Sequence, residues 1–219
     1  MTFNEVMRGV VRLAAVTLLV VSATTLHAQA LYDRFVQAVA VDRTNEVAAL
    51  LARGIDPNTV DPNGDPVLLV AARAGFEPTV DALLRAGAKV DAKNRFGDTA
   101  IMVAALGGHL PIVKKLYARG AEINAPGWTA LAYAASGGHI DVVRYLLDAG
   151  AEVNAVSPNG TTVLMMAVRG GRATTVELLL ARGADVSAHN QNGATALVWA
   201  KRGGYDAIEK ALRQRGAQP

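Results

Sequence analysis

The chain has 219 residues, of which 51% are hydrophobic, and a formal net charge of +3. That apolar share excludes an intrinsically disordered chain, and the small charge, with no Lys/Arg stripe, argues against nucleic-acid binding despite a pI near 9.3. Cysteine is absent, which removes disulfides, thiolate zinc sites and cysteine nucleophiles, and suits export through an oxidising compartment.

The first segment carries Arg8 and Arg12, then the apolar run Leu13 to Val21, then Ala28-Gln29-Ala30. A positive start, a short apolar stretch and a small-x-small site predict a secretory signal over 1–30, cleaved after Ala30. The run is too short for a spanning helix, which needs roughly twenty apolar residues. No membrane span is therefore expected after cleavage; an uncleaved N-terminal anchor is the alternative.

From residue 31 onward the chain repeats. Glycines at 64, 97, 127, 160 and 193 are spaced 33, 30, 33 and 33 residues apart. The Gly-Ala pairs that begin at Gly87, Gly120, Gly150, Gly183 and Gly216 keep the same intervals. So do the Gly-Gly pairs at 107, 137, 170 and 203. Three markers moving together define a repeated supersecondary unit.

Each unit opens on turn chemistry, as in Asp61-Pro-Asn-Gly64 or Asn190-Gln-Asn-Gly193, where glycine supplies positive φ. Thr99, Thr129, Thr162 and Thr195 follow at the spacing of a helix N-cap, and Pro66 takes that place in the second unit. The first helix of each unit then carries small residues, among them Ala71-Ala72, Ala104-Ala105 and Ala134-Ala135. The second helix shows the i, i+3, i+4 pattern of Val80-Leu83-Leu84 and Val176-Leu179-Leu180, and stops at a glycine.

A unit reading G-x-T-x-L…A-A…G-H…V-V…L-L…G-A…V-N-A resembles the ankyrin repeat. The resemblance implies an all-α solenoid of about six repeats, at 31–60, 61–93, 94–125, 126–155, 156–188 and 189–219. The first and last are degenerate caps, since a stack needs polar ends. One departure stands out. The family's Thr-Pro-Leu-His reads here Thr99-Ala-Ile-Met102, Thr129-Ala-Leu-Ala132, Thr162-Val-Leu-Met165 and Thr195-Ala-Leu-Val198. The expectation is that the histidine bonds between units are missing and the stack is somewhat weaker.

The resemblance also implies a concave groove lined by turn tips and by outward positions of the first helices. Those positions hold Arg73, Arg95, Phe96, Asp98, Trp128, Tyr133, Asn159, Arg169, Gln191, Asn192 and Arg202. Met102 and Met165, in place of the missing histidines, are expected to add adaptable apolar surface. The turn before Trp128 is three residues short, so Trp128 either floors a notch in mid-groove or folds back into the core.

Catalytic and metal sites are not expected. His109 and His139 share a repeat position without a third ligand, and read as the Gly-His turn, with the imidazole steadying the start of the second helix. The Gly-Gly pairs lack a following Lys-Ser/Thr, and no carboxylate pair suits acid–base work. The function expected is a non-enzymatic, monomeric scaffold without a cofactor, exported to a bacterial periplasm and holding a protein or peptide partner in its groove. An exported effector acting on host proteins, or a small enzyme hidden in the scaffold, are the alternatives. The first would more often carry a further domain, and the second a convergent polar cluster.

Overall fold

The computed structural model describes residues 28–218; the predicted signal lies outside the described residues except for positions 28–30. The first described helix, α1, covers 28–40. It is followed by α2 (Thr44–Ala52), α3 (Val67–Ala74), α4 (Glu77–Arg85), α5 (Ala100–Leu106) and α6 (Leu110–Ala118). Then come α7 (Ala130–Gly137), α8 (Ile140–Asp148), α9 (Val163–Arg169), α10 (Ala173–Ala181), α11 (Ala196–Gly203) and α12 (Asp206–Gln214). The units pair α1 with α2, α3 with α4, and so on. α1 begins before residue 31, so the expected boundary of the first unit falls inside a helix.

Helices of seven to nine residues are marginal alone. Stacking makes them stable. First helices pack on first helices, in the series α3, α5, α7, α9, α11, and second helices on second helices, with the first helices in closer contact. The reason is in the side chains: Ala71, Ala72, Ala104, Ala105, Ala134, Ala135, Ala167 and Ala200 are all fully buried. Alanine lets helix axes approach to the short end of the usual 8–10 Å range. Second helices meet through Val80 and Leu83, Val113 and Leu116, Val143 and Leu146, Val176 and Leu179, which are bulkier and equally buried. A stack narrower on the first-helix side curves towards that side, which makes it the concave face.

The turns match their sequence reading, with isolated β-bridges Val60–Pro66, Val156–Thr162 and His189–Thr195 closing three of them. Thr129, Thr162 and Thr195 accept from the backbone N–H three residues on, at 3.2, 3.2 and 3.3 Å. Thr99 departs from this expectation: its hydroxyl makes no cap bond and is buried without a partner.

Two further expectations are corrected. Met102 and Met165 are 4% and 0% exposed, so they fill the core and add nothing to the groove. The histidine position inside the first helix has become interior volume. His109 and His139 do not steady their own helices, since neither side chain caps α6 or α8. Each reaches back one unit, Nε2 of His109 to the Arg73 carbonyl at 3.3 Å and Nε2 of His139 to the Leu106 carbonyl at 2.8 Å. Bonds between units by histidine are therefore present, from a different place in the repeat. Gly108 shows what this requires: its φ is +75°, and a Cβ there would overlap the His139 ring.

A second ladder runs along the base of the turns. The side-chain oxygens of Asn58, Asp91, Asn124 and Asn154 accept from the backbone N–H of Lys89, Glu122, Glu152 and Asp185 in the next unit, at 2.8–3.1 Å. Asn124 and Asn154 also donate through Nδ2 to the carbonyls of Gly150 and Gly183. Apolar packing is thus not alone in joining the units.

Candidate functional site: the first-helix face and its turn tips

The turn tips are held from below. The Asn94 side-chain oxygen accepts from the N–H of Phe96 and of Asp98, both at 2.9 Å, and Asp61 and Asn190 do the same for their own turns. A short polar side chain bonding its own backbone two and four residues on fixes the loop without a sheet. The tips of the last two units are also tied together: Gln191 donates from its backbone N–H to the Asn159 carbonyl and from Nε2 to the Pro158 carbonyl.

Of the eleven predicted groove residues, five are committed to the scaffold. Arg73 pairs with the buried Asp65 at 2.8 Å. The Tyr133 hydroxyl donates to Asp98, which joins two units and occupies both side chains. Burial first, and then the Asp98 carboxylate, hold the Tyr133 phenol well above its usual range. Gln191 is spent on its neighbour, as above. Asn159 is exposed at its tip, with its side-chain oxygen drawn in by the Ser157 hydroxyl and the Thr161 N–H.

The others, Trp128 apart, face outward. Phe96 is 70% exposed, with the Arg95 guanidinium 4.7 Å above its ring. Arg169, Asn192 and Arg202 are exposed and make no side-chain hydrogen bond or ion pair among the described residues. Trp128 is half-buried: it packs against the core and meets Tyr133 edge-on at 6.4 Å between ring centroids. The shortened turn is closed by Gly127, whose φ of +103° no side chain favours and which lies under Pro158 of the next tip. Trp128 thus forms a wall between two tips, neither fully open nor interior.

Leu106 joins this face, 43% exposed. It occupies the register of Arg73, Ser136, Arg169 and Arg202 at the end of its helix, so aligning the repeats by position would have found it. The charge on the face is one-sided. Helices α3, α5, α7, α9 and α11 carry Arg73, Arg169, Lys201 and Arg202, and no carboxylate. The acids at the turn tips, Asp61, Asp65 and Asp98, all lie in the first two tips and are all hydrogen-bonded within the stack.

The family model described as ankyrin repeats (3 copies) matches residues 35–126, 68–157, 126–190 and 150–219. The chain is an ankyrin-repeat protein. Ankyrin repeats indicate a scaffold for protein–protein interaction, and the unit-by-unit geometry above is what the matched repeats build here. A comparison with curated proteins returns no match. Among the described residues no group of three His, Asp or Glu could hold a metal ion, and no helix is long and apolar enough to cross a membrane.

Proposed function

We propose that this ankyrin stack is a non-enzymatic scaffold that holds a protein or peptide partner against its first-helix face, with the tips around Phe96 and Trp128 as the centre of contact. The observation that carries the reading is Phe96: a phenylalanine 70% exposed on a turn fixed by two backbone N–H groups donating to the Asn94 side-chain oxygen. A phenylalanine on a fixed backbone has only two side-chain torsions to lose on binding, and aromatics with Arg dominate contact energies. Arg95 above its ring and Trp128 one unit on supply that composition.

Phe96→Ala combined with Trp128→Ala should weaken partner capture at least roughly tenfold while the stack stays folded. Undiminished capture by the folded double variant contradicts the assignment.

The scaffold works after export, as a monomer in a bacterial periplasm, with the segment 1–30 removed. Residues 28–30 of α1 are exposed, whereas Leu31 packs on the core and Phe35, Ala38 and Val39 are buried. Cleavage after Ala30 would therefore leave the core of the first unit whole. N-terminal sequencing of the exported protein should begin at Leu31; an intact N-terminus on the exported chain contradicts it.

A further inference from the structure

We infer that the segment this face takes is acidic, with an apolar residue beside its carboxylates; the inference rests on the groove reading above. It comes from the distribution of charge, which is uneven between the two faces. The second helices mix signs, with Asp81, Asp141, Asp148 and Glu177 among Arg85, Lys114, Lys115 and Arg144. The first helices from α3 onward have cations only, and the carboxylates at the turn tips are consumed by Arg73, Tyr133 and their own backbone. What the last three units offer an incoming chain is Arg169 and Arg202, in the same register of neighbouring repeats, without a carboxylate partner among the described residues.

Guanidiniums bind carboxylates through paired, charge-assisted hydrogen bonds, so these two favour carboxylates and oppose a basic segment. Neighbouring first helices lie about 8–9 Å apart, and an extended chain advances about 3.3 Å per residue. Carboxylates two or three residues apart would therefore meet Arg169 and Arg202 in turn. The exposed Phe96 and Leu106 then face the apolar part of the same segment, towards the N-terminal half of the stack. Nucleic acid is the less fitting polyanion: two arginines with one flanking lysine do not make a phosphate track.

The test is fluorescence anisotropy of the full chain with a labelled random Glu/Tyr copolymer, beside a Lys/Tyr copolymer and a single-stranded oligonucleotide of matched length. The Glu/Tyr copolymer should bind, weaken with rising salt, and lose roughly tenfold or more in affinity on Arg169→Glu with Arg202→Glu. Both substitutions are at exposed positions, and circular dichroism checks the fold. Equal or tighter binding of the Lys/Tyr copolymer or the oligonucleotide overturns the inference, as does an unchanged affinity in the charge-reversed variant. If Phe96→Ala with Trp128→Ala weakens copolymer binding and charge reversal does not, the acidic partner is wrong and the groove stands. If both variants bind normally and Lys114→Glu with Arg144→Glu does not, the groove itself is wrong.

Discussion

At the scale of single residues, the repeat gives matched positions that differ in one interaction. Thr162 caps α9 while Thr99, in the same place, leaves its hydroxyl buried and unbonded. Thr162→Ala should cost about 1 kcal/mol, whereas Thr99→Val should be neutral or slightly stabilising, because it removes an unsatisfied polar atom without changing shape. Urea unfolding of the two variants measures both. Tyr133 gives a second contrast. Its folded-state pKa is raised and its unfolded one is not, so both states hold the proton below pH 10.0 and neither gains there. Above that pH the unfolded chain ionises first, and stability falls as pH rises. Alkaline titration followed by phenolate absorbance should show a late component that Tyr133→Phe removes. The ionisation of Tyr145, raised by burial and by Tyr117, should remain.

At the scale of the elements, the joints between units decide stability more than the helices do. Asn124 makes two bonds to the next unit, accepting from Glu152 and donating to Gly150. Asn124→Ala should therefore cost about 1–2 kcal/mol, while Asn63→Ala, which loses only a contact within its own exposed turn, should cost a few tenths at most. Equal losses in urea unfolding would contradict a role for the ladder. Most of this architecture was legible in the sequence. Glycine spacing marked the turns, Thr and Pro marked helix starts, and alanine pairs marked the close helix contacts. The joints were less legible, for a physical reason. An Asx residue after a β-branched one reads locally as a turn former, and only the stacking of units brings its side chain to the neighbouring backbone. His109 and His139 misled in the same way: a histidine before a helix looks like a local cap, and its partner lies 36 or 33 residues earlier.

At the scale of the whole molecule, stacking decides which tip residues remain available. Composition at the tips was readable, but occupation was not. Arg73, Asp98, Tyr133 and Gln191 have the same character as Arg169, Phe96 and Asn192, and only the folded contacts, within its own unit for Arg73 and between units for the others, show that the former are already engaged. Met102 and Met165 were misplaced because a long apolar side chain at the old histidine position can turn either way, and the close approach of the first helices turns it inward. What the stack leaves open is a cationic inner face with Phe96 at one tip and the half-buried Trp128 at the next. The central claim is that a partner docks on this face and not on the second helices. It is tested most directly by placing a photo-crosslinking residue at Phe96 and, separately, at Arg144 on the exposed side of α8, and irradiating in the native compartment. A discrete partner adduct from position 96, absent from position 144, is the predicted result; an adduct from position 144 with none from 96 would contradict it.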